Sequence, residues 1–253
     1  MALYLIGIGL DNEKDITLKG LEAVRKCKDI YLESYTSKLN CPTTKLEKLY
    51  GKKIFPADRE LVEKEAEEKL LKPAKKQDIA LLVIGDPMSA TTHTDLLLRA
   101  KKMKIRTEVI HNASVLTAAG ITGLELYKFG KTTSIPFHDK GFEPETHYDV
   151  LKGNQNMGLH TLFLLDLKPE QGRYMTVNQA IQSLLEIADK RKDAVFSKDT
   201  ICIGCARLSS KNQKIISGKA EKLLKKDFGK PVHCLVVPGK LHFIEEEAVK
   251  NWK

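Results

Sequence analysis

The sequence predicts an α/β fold built from two α/β halves, and three observations carry that prediction. Short apolar runs are stopped by glycine or polar turns and followed by helical spacing: Leu3–Ile8 before Gly9-Leu10, Ala80–Ile84 before Gly85-Asp86-Pro87, and Arg106–Ile110 before His111-Asn112-Ala113-Ser114. The run Ala80–Ile84 is continuous rather than alternating, the pattern of a buried strand. Thr176–Arg191 puts Val177, Ala180, Ile181, Leu184, Leu185 and Ala188 on one helical face. Strand, polar turn and helix N-terminus together bring polar groups to the carboxyl edge of a sheet, where open α/β sheets bind ligands.

In chain order, Leu3–Ile8 is the first strand and leads through Gly7-Ile8-Gly9-Leu10 to a helix starting near Asp15-Ile16-Thr17-Leu18. Gly-x-Gly is half of a dinucleotide fingerprint; Asn12 stands where the third glycine would be. A ligand without a pyrophosphate has no need of that glycine. Asp29–Glu33 and Lys53–Phe55 read as strands, and Glu60–Leu71 as a charged helix whose Glu65–Lys69 pair faces solvent. After Gly85-Asp86-Pro87, Thr91 or Thr92 is placed to cap a helix that puts Leu96, Leu97 and Ala100 on one side. Arg106–Ile110 is a strand, and Asn112 or Ser114 is the N-cap expected for a helix at Val115–Ala119.

The second half reads as a strand at Thr132–Pro136, a helix at Glu143–Leu151, a strongly apolar strand at Leu159–Leu167 and the helix Thr176–Arg191. Strands at Asp199–Leu208 and Pro231–Val237 flank a lysine-rich helix near Lys219–Lys226, and a short helix at His242–Trp252 closes the chain. The division expected is 1–113 and 114–253, with the boundary between 112 and 132, since no linker or repeat marks it more sharply.

The chain has 253 residues, enough for a large core. No apolar stretch approaches the ~20 residues needed to span a bilayer. The N-terminus lacks a basic region before its apolar run, so it reads as a strand and not as a signal peptide. Five cysteines, an odd number, suit reduced thiols and a cytoplasmic protein. Cys202 and Cys205 form a C-x-x-C inside a strand, where residues three apart face opposite sides and cannot chelate together. The net charge of +9 comes from lysine runs at helix ends. No aromatic residues interleave with them, so direct nucleic-acid binding is not expected, although an acidic protein partner suits the charge.

No metalloprotease helix, nucleophile elbow or phosphate loop occurs, and no histidine–cysteine cluster has metal spacing. A site made of loops after strands suits chemistry in which a reactive cofactor is oriented by the protein. Methyl transfer from a sulfonium is of that kind. It needs in-line placement at about 3–3.5 Å, and an amine nucleophile needs only to lose its proton first. Such an enzyme need have no catalytic side chain and no metal ligand.

The strings GDPxxATTHTDL (residues 85–96) and EVIHNAS (residues 108–114), together with LYLIGIGL, YDVLKGNQNMGLHTLFLLDL, CARL and PVHCLVVPGKLH, span nearly the whole chain. By these it resembles the diphthine synthases, S-adenosylmethionine-dependent enzymes of the tetrapyrrole methylase class. The resemblance implies two α/β domains of the tetrapyrrole methylase (class III methyltransferase) type with a cofactor cleft between them, in a homodimer. It implies repeated methylation of the aminocarboxypropyl-histidine of translation elongation factor 2, to diphthine or its methyl ester, with S-adenosylhomocysteine released. Carried over by position, the cofactor contacts are Leu10, Asp86, Ser89, Ser114, Val115, Leu165, Leu208 and His233. Ser89 occupies a variable position of its loop, where backbone contact is expected. His233, read by itself, is a histidine satisfied inside an apolar strand. A methylase acting on a tetrapyrrole or ribosomal RNA, and a non-catalytic ligand-binding protein, are the competing readings. The short connector from Leu167 to Arg173 and the string VPGKLH bear on the methyl count in opposite directions; the reading leans to the ester.

Overall fold

The computed structural model describes residues 1–139, 141 and 143–253. The chain divides into two compact units, Met1–Val115 and Leu116–Lys253. The first contains β1 (Leu3–Gly7), α1 (Leu18–Lys26), β2 (Asp29–Glu33), α2 (Thr43–Tyr50), β3 (Phe55–Ala57), α3 (Arg59–Glu63), α4 (Lys72–Ala74), β4 (Ile79–Val83), α5 (His93–Lys102) and β5 (Thr107–Ile110). Its five strands are all parallel, in the order β3-β2-β4-β1-β5.

The period-two geometry of a strand explains how that sheet is covered twice. Leu3, Leu5, Ile79, Leu81 and Val83 face one cluster with Val62, Leu70, Leu71, Leu96 and Ala100. Ile6, Ile8, Ala80 and Leu82 face the other, with Ala23, Val24, Leu46 and Tyr50. Each fully buried leucine or isoleucine contributes about 1.5–3 kcal/mol, which is why β1 and β4 hold the centre of the sheet.

The helix expected over Glu60–Leu71 is broken. Asp58 caps α3 through the Leu61 N–H at 2.8 Å, α3 stops at Glu63, and a π turn at Glu67–Leu71 runs into α4. The wide turn lets Ala66, Leu70, Leu71 and Ala74 all be buried. The third strand lies at Phe55–Ala57, two residues later than expected, because it pairs with Tyr31–Glu33 at the end of β2.

The second unit holds β6 (Thr133–Ile135), α7 (Thr146–Asn156), β7 (Thr161–Leu165), the hairpin β8 (Leu167–Lys168) and β9 (Arg173–Tyr174), α8 (Val177–Arg191), β10 (Ile201–Ala206), β11 (Lys214–Lys219), α9 (Ala220–Leu223), β12 (His233–Val237) and α10 (Phe243–Lys250). It is entered through α6 (Val115–Ala118). Its main sheet runs β11-β10-β12-β7-β6, parallel only between β6 and β7. All six inner-face residues expected on α8 are buried, and Thr176 with Gln179 forms a capping box at its start.

Differences from expectation again have local causes. The helix anticipated at Glu143–Leu151 lies at Thr146–Asn156, with Glu145 as N-cap and Gly158, at φ +72°, just past its end. The lysine-rich helix shrinks to Ala220–Leu223, because β11 extends to Lys219 and Asn178 Nδ2 donates to the carbonyls of Leu223, Leu224 and Lys226. The five thiols are free, and all but Cys41 are buried; Cys205 lies opposite Cys234 across β10 and β12. No helix among the described residues is long and apolar enough to cross a membrane, and no group of histidine, cysteine and carboxylate side chains could hold a metal ion.

Candidate functional site

In the order β3-β2-β4-β1-β5, the strands β4, β1 and β5 are neighbours and parallel, so the loops that follow them open at one edge. Those loops are the Gly-x-Gly, Gly-Asp-Pro and His-Asn-Ala-Ser segments. The first two are joined by backbone: Gly85 donates to the Gly9 carbonyl at 2.7 Å and accepts from the Gly9 N–H at 3.4 Å. A Cβ on Gly7 would lie 2.6 Å from the Gly85 carbonyl oxygen and 2.8 Å from Asn112 Cβ, so this crossing admits no side chain. At Gly85 the requirement is different. Its φ of +84° favours glycine, while a Cβ there would rest 3.6 Å from Leu10 and 3.8 Å from Ala113 and Ser114. At Gly85 it is therefore the backbone conformation, and not lack of room, that calls for glycine.

Asp86 is the polar centre of the edge. One carboxylate oxygen accepts from Met88 N–H (2.8 Å) and Ser89 Oγ (3.3 Å), the other from His111 Nδ1 (2.8 Å) and Asn112 N–H (3.0 Å). Burial alone would raise its carboxyl, but the donors from Met88, Asn112 and His111 outweigh that and hold it below its usual value. With both oxygens saturated, the Asp86 side chain shapes the loop and leaves its backbone to meet a ligand.

Asn112, expected only as a helix cap, does more: its Nδ2 donates to the carbonyls of Gly7 and Asp15, both at 3.0 Å. Asp15 Oδ2 in turn accepts from the N–H groups of Leu10 (3.2 Å) and Asp11 (2.7 Å), fixing the turn after β1. The threonines of the Ala-Thr-Thr-His segment also differ from expectation. Thr92 sits at the N-cap of α5 without a capping bond, and Thr91 Oγ donates to the Pro87 carbonyl at 2.7 Å. His93 Nδ1 donates to the same carbonyl at 3.0 Å, and its Nε2 faces Glu33 Oε2 at 3.4 Å, both side chains wholly buried. Burial works against charging His93, yet Glu33 and the Pro87 carbonyl raise its pKa above the ordinary histidine value.

Of the residues singled out in the sequence, Leu10, Asp86, Ser89 and Ser114 lie on or directly after these three loops and Val115 begins α6, all in the first unit. Leu165, Leu208 and His233 lie in the second, and its register gathers them at one edge. Leu164 pairs with Cys234 and Ala206 with His233, so the end of β7, the turn after β10 and the start of β12 coincide. His233 is not fully satisfied there. Its Nε2 donates to the Lys230 carbonyl at 3.0 Å, while Nδ1 is buried without a partner, a waiting acceptor. Burial, the largest influence, lowers its pKa and keeps it neutral.

The tetrapyrrole (corrin/porphyrin) methylase family model matches residues 2–224. The chain is 47% identical to the diphthine methyl ester synthase of Dictyostelium discoideum, over all of this chain and 98% of the relative. It is also 47% identical to the diphthine synthase of Methanocaldococcus jannaschii, over 98% and 97%. A crystal structure of diphthine synthase superposes with a TM-score of 0.91 at 38% identity, covering 100% of this chain and 96% of the other. The chain belongs to the diphthine synthase family. It is thus a methyltransferase with the tetrapyrrole methylase fold, as its loop motifs implied. Within a diphthine synthase, the Ala-Thr-Thr-His string acquires a physical reason the sequence did not offer: it ties Pro87, and through it the Asp86 turn, to Glu33 at the end of β2. The pairing of Glu33 with His93, 60 residues apart in sequence, had no signal in local spacing.

Proposed function

We propose that the chain binds S-adenosylmethionine and transfers its methyl groups to the aminocarboxypropyl-histidine of translation elongation factor 2, forming diphthine or diphthine methyl ester. The observation that carries this reading is the glycine-crossed edge, in which Gly9 and Gly85 bring backbone together beside an Asp86 carboxylate already saturated by donors. A sulfonium cofactor, with no phosphate to neutralise, fits such a surface. The unpartnered His233 Nδ1 suits a donor such as an exocyclic amine.

In this reading Leu10, Ser89, Ser114 and Val115 contact the cofactor in the first unit, with Asp86 through its backbone. Leu165, Leu208 and His233 contact it in the second. The bound cofactor supplies an electrophilic methyl group on a good leaving sulfur. The chain's residues bind it, orient it and exclude water, and no metal takes part. The protein acts as a cytoplasmic homodimer on a protein substrate whose docking the basic surface assists; light scattering should give about twice the 28.4 kDa of one chain. The test supplies elongation factor 2 carrying only the aminocarboxypropyl group, with the enzyme and cofactor, and weighs the modified peptide. Three or four added methyl groups on that histidine are expected. No addition, with methylation of ribosomal RNA or a tetrapyrrole by the same preparation, would refute the reading.

A further inference from the structure

His111 opens the loop after β5 and is the most exposed member of the site's polar network, with 69% of its side chain open. Its ring is nevertheless fixed. Nδ1 lies 2.8 Å from Asp86 Oδ2, a carboxylate 7% exposed and locked by the N–H groups of Met88 and Asn112. Because an ionised carboxylate only accepts, the nitrogen that meets Asp86 carries a proton, so in the neutral ring the lone pair is on Nε2. Of the other carboxylates on these loops, Glu13 keeps Oε2 buried and without a partner, away from solvent, and two are engaged. Asp15 Oδ2 holds two backbone N–H groups, and Asp11 takes the side chains of Asn12 and Asn40.

We propose that His111 Nε2 is the proton acceptor for the amine that is methylated, with Asp86 as its positioning residue. This rests on the function proposed above and deepens it. An alkylammonium has no lone pair, so each N-methylation must begin with loss of a proton. The proton passes from the substrate nitrogen to Nε2, the freed pair forms the N–C bond, and the S–C bond breaks with its electrons left on sulfur. Each product is again an ammonium ion, so three N-methylations release three protons to this acceptor, which returns each to solvent through its exposed face. A carboxylate has lone pairs already, and its methylation needs no base. The site thus meets two nucleophiles of different demand, and His111 serves only one.

The alternative is that His111 merely props the Asp86 turn. His111→Ala separates the two. As a general base, His111 contributes to kcat on the order of 10²–10⁴-fold, so single-turnover N-methylation should fall by about that factor. Cofactor affinity by calorimetry should stay within about twofold of wild type, and added imidazole should restore part of the rate. His111→Gln, which can still donate to Asp86, should keep affinity and remain slow. Nitrogen-15 NMR of the wild-type ring should show the Nδ1–H tautomer. The proposal is overturned if both variants N-methylate at wild-type rate, if the loss lies wholly in cofactor affinity, or if the ring is the Nε2–H tautomer. If wild type itself fails to methylate the amine, the proposed function fails first, and the two failures are distinct.

Discussion

At the scale of single residues, the two glycines that define the edge are required for different reasons, and their substitutions should part accordingly. Gly7→Ala drives a methyl into the Gly85 carbonyl at 2.6 Å, an overpacking of about 1–3 kcal/mol that must be met by moving backbone. Gly85→Ala meets only ordinary contacts and costs about 1–2 kcal/mol for its positive φ. Calorimetric melting should show the larger fall for Gly7→Ala, with cofactor affinity lost alongside; equal or reversed effects would contradict the packing described. The Glu33–His93 pair makes a second prediction, in pH. A histidine whose pKa is raised on folding contributes stability that is fully present below its ordinary ~6.5 and disappears as pH rises through the raised value. Glu33→Gln removes the larger cause of that shift and leaves the Pro87 carbonyl in place. Urea unfolding should show the variant's deficit shrinking from pH 5.5 to 8.5, and a deficit independent of pH would show that His93 stays uncharged.

At the scale of elements, one carboxylate fixes the start of α10 to the second unit, and Ser217 Oγ, donating to the Val249 carbonyl at 2.6 Å, ties its end. Glu245 accepts from the N–H of Glu125 (3.0 Å) and of His242 (2.8 Å), from His160 Nε2 (2.8 Å) and from Lys128 Nζ. Burial opposes its charge, but these donors, Lys128 foremost, lower its pKa to about 2. The stabilisation is present above the usual glutamate range and is lost as pH falls toward 2. Glu245→Gln leaves Lys128 without its charge partner, at about 3 kcal/mol for a buried pair broken on one side. Amides of Phe243–Lys250 should then exchange faster while those of β1 and β4 do not; unchanged exchange in α10 would refute the role. Elements with a strong period were legible in the sequence: β2 at Asp29–Glu33 and the whole inner face of α8 lie where expected. Those set by partners were not. The helix α2, the strand β11 and the hairpin β8–β9 went unseen, because their short segments owe their conformation to neighbouring strands and helices rather than to their own pattern.

At the scale of the whole molecule, the fold was legible because glycine, proline and polar turns mark where strands end, and the family because the strings GDPxxATTHTDL and EVIHNAS at those loops resemble the diphthine synthases. What those residues do to one another was not legible. Spacing cannot reveal that Asn112 reaches back to Gly7 and Asp15, that four donors saturate Asp86, or that His233 keeps one nitrogen unpartnered. The first two relations arise only when β4, β1 and β5 lie side by side, and the third only when β12 pairs with β10 and β7. The measurement that tests the account most directly is a crystal structure with S-adenosylhomocysteine bound. The account predicts the ligand against Leu10, the Gly85–Ser89 turn and Ser114–Val115, with no atom bonded to the Asp86 carboxylate. A ligand seated away from the loops after β1, β4 and β5 would contradict it.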